Sequence, residues 1–272
     1  MPSQHNTLKE NVNNSKNTRM DFDDSQRNFD YRVDEIMFLG RYNACVQAIL
    51  DLAAKLKRPV RVLDVGGGGQ MNTVRLLYKS YVVKKSEVLE SYTCVDIDDV
   101  MAKECMEKYG TIYNSCNASF LIQDLTVKPQ FEVEDGYYDL IICTEFLEHI
   151  NPEKSQAILE ELLRVSNSNG QAIFSTPNSN GSNKKLPKDH FYEYSYEELM
   201  EKFKKAGWEV EDTIGMSISI SKLPKEYVSG LAGVFDRFNK GFGRNSHFQR
   251  VAIAPLIKPE YCKNVMYICR KP

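Results

Sequence analysis

The chain has 272 residues, 42% of them hydrophobic and 26% charged, with a formal net charge of −2, the profile of a folded protein long enough to bury a large core. No run approaches the ~18 uninterrupted apolar residues of a membrane span, and Met1-Pro2-Ser3-Gln4-His5-Asn6 lacks the basic-then-apolar plan of a secretion signal, so cytoplasmic residence is expected. Seven widely spaced cysteines (45, 94, 105, 116, 143, 262, 269) with no Cys-x-x-Cys pair exclude a paired disulfide framework and a cysteine-based zinc finger.

Residues 1–28 are rich in Asn, Ser, Lys and Asp and poor in apolar side chains. Such a segment buries too little surface to offset the entropy of ordering, so it reads as a flexible polar tail ahead of one domain over 29–272. From Phe29 to Leu56 the apolar positions recur with helical spacing, predicting one or two helices. Strands are then expected at Val60–Val65, Tyr92–Ile97, Ser119–Gln123, Tyr138–Thr144, Gln171–Thr176, Trp208–Ile214 and Asn264–Cys269. Helices are expected between them at Met71–Tyr81, Asp99–Tyr109, Pro152–Ser166 and Tyr196–Ala206, the last closed by Gly207. This alternation predicts an α/β, Rossmann-like, doubly wound, mostly parallel seven-stranded sheet with helices on both faces. Ligands of such sheets bind at the C-terminal ends of the strands. Residues 222–260 form an insertion before the last strand, with a helical stretch at Tyr227–Phe238, and are the candidate lid. Charge follows the same division: residues 221–272 carry a balance of +7, leaving −9 for the rest. A cationic C-terminal part favours an anionic or phosphate-bearing partner.

The strongest local signal is Asp64-Val65-Gly66-Gly67-Gly68-Gly69-Gln70. Glycines after a strand let the backbone turn sharply and approach a ligand closely. A dinucleotide fingerprint starting at Gly66 or Gly67 needs glycine at position 71 or 72. Met71 and Asn72 stand there instead, which weakens a nicotinamide oxidoreductase reading. An acid two residues before the first glycine suits a ligand with a cationic amino-acid moiety. Here the chain resembles the S-adenosylmethionine-dependent methyltransferases of the seven-stranded class, from about Val60 to Pro272. The resemblance implies that Gly66 and Gly68 lie under the methionine part of S-adenosyl-L-methionine, with Asp64 steering its amino group. It also implies that Asp96, ending the second strand, binds the ribose hydroxyls, and that Asp124, after the third, meets the adenine amine. Gln70 stands where that class often has a third glycine.

After the fourth strand comes Glu145-Phe146-Leu147-Glu148-His149. In helical form Glu145, Glu148 and His149 share one face at i, i+3 and i+4. With His190 from beyond the fifth strand they form a candidate site for Mg²⁺, Mn²⁺ or Zn²⁺. Alternatively His149 and His190 act as base or brace a metal-free pocket. The Glu-x-x-Glu-His pattern is similar to that of small-RNA 3′-terminal 2′-O-methyltransferases, which the chain resembles also in Ser175-Thr176-Pro177-Asn178 and in the spacing of Asp189, His190 and Glu193. It is similar, too, to ubiquinone-biosynthesis O-methyltransferases. A hydroxyl acceptor must lose its proton, so two histidines and two acids favour O-methylation. The acceptor class stays open between a small molecule and RNA, for which Lys184, Lys185 and Lys188 offer phosphate contacts and Phe191, Tyr192, Tyr194 and Tyr196 offer stacking surfaces. The alternative from another class is a non-catalytic binding or partner subunit that keeps the fold.

Overall fold

Residues 31–67, 70–80, 85–179, 186–219, 223–234, 236 and 251–272 are described by the computed structural model. The expected 1–28 tail, Gly68, Lys184, Lys185 and the middle of the candidate lid lie outside these residues.

A single 26-residue helix, α1 (Tyr31–Leu56), takes the place of the expected one or two. It leads into β1 (Val60–Val65), α2 (Asn72–Ser80), a one-turn α3 (Lys85–Val88) and β2 (Leu89–Asp96). Next come α4 (Asp99–Ser115), β3 (Ala118–Ile122) and β4 (Tyr138–Thr144). The chain continues through α5 (Pro152–Val165), β5 (Ser166–Pro177), α6 (Tyr196–Ala206), β6 (Glu209–Ile218), α7 (Lys225–Gly230) and β7 (Cys262–Arg270). Helix α4 runs six residues past the expected Tyr109. Its apolar face continues through Ile112 and the fully buried Tyr113, so packing carries the helix on.

The seven strands lie in the order β3-β2-β1-β4-β5-β7-β6. The first five are mutually parallel, while β7 runs antiparallel to both β5 and β6, so the sheet is mixed. Strand β4 shows why both faces need cover: Leu140 and Ile142 enter the core under α1, α2 and α4, whereas Ile141 and Cys143 enter the core under α5 and α6. Strands β1 and β4 sit side by side at the centre, and the chain leaves them in opposite directions across the sheet. That reversal opens a crevice beyond their C-terminal ends.

At the opposite end, Asp139 is fully buried and accepts hydrogen bonds from Arg58 Nη1 and Nη2 at 2.8 and 2.6 Å and from the Arg61 amide at 2.9 Å. Burial alone would raise its carboxyl pKa, but the Arg58 hydrogen bonds hold it below the usual carboxylate range. Among the described residues no helix is long and apolar enough to cross a membrane.

Candidate active site

The glycine turn begins where β1 ends. Gly66 has φ +67°, a backbone that side chains rarely adopt, and its N–H donates to the Val95 carbonyl at 2.9 Å. A Cβ on Gly67 would stand 2.6 Å from Asp64 Oδ2 and 2.8 Å from Cys94 Sγ, so this position, too, requires glycine. Asp64 is 2% exposed and accepts the Tyr92 hydroxyl at 2.5 Å. Burial pushes its carboxyl pKa up to about 7, against the lowering effect of that bond. Asp64 therefore braces the turn from inside. At the far end Gln70 is tied down: its carbonyl accepts the Tyr113 hydroxyl at 2.9 Å and its side chain accepts Arg75 Nη1 at 3.1 Å.

The next acids follow on neighbouring strands. Asp96 closes β2, and its Oδ1 accepts the Asp98 amide at 3.1 Å. Asp98 in turn caps α4 by accepting the Met101 amide at 2.9 Å. Beyond β3, Asp124 Oδ1 accepts both the amide and the hydroxyl of Thr126, at 2.9 and 2.7 Å. That is a turn-forming arrangement. The Gln123 amide bonds the Asp96 carbonyl at 2.9 Å, tying the two strand ends together. Asp64, Gly66, Asp96 and Asp124 thus line one edge of three adjacent strands.

Past β4 the structure corrects the expected helical face. Leu147–His149 is a single 3-10 turn, and Glu145 ahead of it has φ +51°. The Glu145 carboxylate stays near Glu148, but both of its oxygens are taken up by other elements. Its Oε1 accepts Ser175 Oγ at 3.0 Å and pairs with Arg41 Nη2 at 3.1 Å, and its Oε2 accepts Asn264 Nδ2 at 3.2 Å. Glu145 therefore falls outside the four-residue metal set read from the spacing.

The remaining three residues do converge: one ligand atom from each of Glu148, His149 and His190 lies within 4.8 Å of the others. The two imidazoles meet edge to face with centroids 5.0 Å apart. His149 Nδ1 bonds the Asp189 carbonyl at 2.8 Å, and His190 Nδ1 bonds Glu193 Oε1 at 2.9 Å. A ring nitrogen facing a carbonyl carries the proton, so Nε2 of His149 is the acceptor. Burial keeps the His149 pKa below its usual value, favouring the neutral ring. Glu148 is 1% exposed and accepts the Thr176 hydroxyl at 3.1 Å. Burial, with the nearby Glu145 charge, drives its carboxyl well above the ordinary range. The backbone of the same residue anchors the following loop, since the Phe191 and Tyr192 amides both donate to the Glu148 carbonyl.

Several contributors escape a reading by sequence. Arg41 on α1 is 5% exposed, and its Nε is buried with no hydrogen-bond partner among the described residues. It lies inside an apolar helical pattern, and only its break in that pattern signals a role. Tyr92, Tyr113 and Asn264 carry no local signal, because each finds its partner on a different element.

A family model described as a methyltransferase domain matches residues 37–213, well over half of the chain. Among curated proteins no sequence matches significantly. Among solved structures, the chain is similar to 1,6-didemethyltoxoflavin-N1-methyltransferase from Burkholderia thailandensis, which holds 1,6-didemethyltoxoflavin and S-adenosylhomocysteine. Identity there is 15% and the TM-score 0.54, covering 100% of this chain and 91% of that one. The small RNA methyltransferase HEN1 is 16% identical with a TM-score of 0.55, over 85% of this chain and 25% of that one. The [4+2]-cyclase SpnF is 19% identical with a TM-score of 0.52, over 85% and 82%. Identities this low establish a shared fold and leave the reaction open. The family match, by contrast, runs through the glycine turn, β4 and the loop that carries His190, and on it the chain belongs to the methyltransferase domain family.

Proposed function

We propose that this protein is an S-adenosylmethionine-dependent methyltransferase acting on a hydroxyl of a small metabolite or an RNA end. The observation that carries the reading is one of placement. Gly66, Asp96 and Asp124 stand at the C-terminal ends of the adjacent strands β1, β2 and β3, with the buried Asp64 bracing the turn, and Glu148, His149 and His190 gather just past the C-terminal end of the neighbouring β4. In this reading Gly66 and Gly68 lie under the methionine part of the cofactor. Asp96 accepts the ribose hydroxyls, and Asp124 faces the adenine amine. Arg41 meets the cofactor carboxylate, for which a buried guanidinium with an unfilled N–H is chemically suited. The cofactor supplies an electrophilic methyl on a sulfonium.

The protein's task is then alignment of an in-line displacement and removal of one proton. His149 is held neutral by burial and fixed in tautomer by the Asp189 carbonyl, so its Nε2 takes the hydroxyl proton. His190, backed by Glu193 at 2.9 Å, accommodates the positive charge that follows.

A second reading adds a divalent metal at Glu148, His149 and His190. It is favoured by the engagement of Nδ1 in both histidines, the outer support typical of metal-bound imidazoles. A bound cation would acidify the acceptor hydroxyl. The near-burial of Glu148 and its raised pKa weigh on the other side, since ligation requires the ionised form.

The deciding experiment supplies methyl-labelled cofactor to the full chain with RNA and metabolite pools, with and without chelator. Transfer to a hydroxyl supports the main reading, and its loss on chelation supports the metal. Transfer to nitrogen or carbon removes the O-methylation proposal. Cofactor binding without transfer to any pool favours a binding or partner subunit.

A further inference from the structure

Two buried tyrosine hydroxyls hold the two ends of the glycine turn. Tyr92 and Tyr113 are both 0% exposed. They come from different elements, β2 and the last turn of α4, yet each reaches the segment that leaves β1. Tyr92 donates to Asp64 Oδ2 at 2.5 Å, immediately before the glycines, and Tyr113 donates to the Gln70 carbonyl at 2.9 Å, immediately after them. Between these attachments stand Gly66, Gly67, Gly68 and Gly69, the residue type that loses most conformational freedom on ordering.

The exit side carries further support. Arg75 Nη1 donates to Gln70 Oε1 and to Asn72 Oδ1, each at 3.1 Å, and its guanidinium lies 4.0 Å above the Tyr109 ring. Tyr113 is itself packed edge-on against Phe120 with centroids 5.9 Å apart. Phenylalanine would fill either apolar site as well as tyrosine does, and a buried hydroxyl is costly unless bonded. The hydroxyls therefore serve the groups they bond, and those groups are the two ends of the turn.

We propose that Tyr92 and Tyr113 are positioning residues for the cofactor. By pinning Asp64 and Gln70 they fix the two ends from which the glycine segment departs and to which it returns before the ligand arrives, without touching it. A ligand site whose ends are held in advance loses less entropy on binding. This inference rests on the proposed use of S-adenosylmethionine and adds to it the residues that preorganise its floor.

The test uses the full chain and its Tyr92→Phe and Tyr113→Phe variants, with S-adenosylhomocysteine as the probe in titration calorimetry. Loss of one hydroxyl is expected to raise Kd about 2- to 10-fold, and the amides of Gly66, Gly67, Gln70, Met71 and Asn72 are expected to exchange faster in the unliganded variant. A lowered Tm with unchanged Kd and exchange would make the tyrosines purely structural and overturn the proposal. If either variant fails to fold, Arg75→Met loosens the same exit by removing the bond to the Gln70 side chain. It should raise Kd by about 2- to 5-fold, and an unchanged Kd there counts equally against the proposal. A wild-type chain that does not bind the probe removes the cofactor reading itself, whereas wild-type binding matched by all variants removes only the positioning role.

Discussion

Asp96 is the residue on which the cofactor reading is most exposed to test. Its carboxylate sits at the end of β2 with Oδ1 already accepting the Asp98 amide, and a carboxylate offers enough lone pairs to accept ribose hydroxyls as well. Asp96→Ala should weaken S-adenosylhomocysteine binding by roughly 1–3 kcal/mol, and calorimetry giving an unchanged Kd would refute the assignment. Asp64 makes a different prediction. Its pKa is raised to about 7 by burial, above an ordinary value of ~3.9, so the folded state holds a proton that the unfolded state has released between those limits. Stability from this group is therefore greatest below pH ~4 and falls as pH rises to ~7, by on the order of 4 kcal/mol. Asp64→Asn has no such proton, so the variant should gain on the wild type in Tm as the pH is taken from 5 to 8. Parallel Tm curves would show that Asp64 titrates normally. The place of Asp64, Asp96 and Asp124 at or just past strand ends was legible in the sequence. The turn-forming use of Asp124 by Thr126 and the burial of Asp64 under Tyr92 were not, because each depends on where a second residue comes to lie.

At the scale of elements, the residue that follows β5 ties that strand's end to the chain entering β7. Asn178 is buried, and its Nδ2 donates to the Cys262 and Glu260 carbonyls at 2.9 and 3.2 Å, while its amide donates to the Lys263 carbonyl at 2.6 Å. One residue thus secures the start of β7 and the turn before it, beside Asn264, which holds Glu145. Asn178→Ala leaves those carbonyls short of a donor and should cost about 2 kcal/mol, or roughly 5 °C in Tm for a chain of this size. If the returning segment shapes the acceptor site, acceptor KM rises while S-adenosylhomocysteine Kd is unchanged; a rise in that Kd instead would place Asn178 with the cofactor. The strands were legible as short apolar runs because parallel strands bury both faces, and the end of α6 because Gly207 closes it, whereas the Ser195–Glu198 capping box at its start came only with the structure. The Glu145–His149 segment was not. Its residue types suit a helix, but β5 and β7 offer Ser175 and Asn264 to Glu145, and α1 brings Arg41. Those contacts outweigh the local preference and hold Glu145 in a left-handed conformation.

For the whole molecule, the charge division separates the two acceptor classes. Residues 221–272 carry a balance of +7 in a chain of net charge −2, so an RNA acceptor held by this part would release counterions on binding. Its KM should then climb steeply with salt, with a log–log slope of about −0.7 in affinity for each phosphate contacted on a single strand. A small neutral acceptor should show almost no dependence between 50 and 200 mM salt. Steady-state kinetics with the acceptor that emerges from the transfer assay distinguishes the two, and a flat profile with an RNA acceptor would remove the basic C-terminal part as its binding surface.

The linear chain determined the class of fold, because its buried strands, glycine turn and helix ends are written in residues that act locally: apolar runs, positive-φ glycines and capping side chains. It also determined which acids would stand at the C-terminal edge of the sheet, since strand ends in a parallel sheet converge by topology alone. Only the tertiary structure decided how that edge works. It set Glu145 against Arg41, gathered Glu148 with His149 and His190, and brought Tyr92 and Tyr113 to opposite ends of the turn. Each of these groupings brings in a residue from a separate element, and its free energy depends on burial and distance that no local pattern encodes.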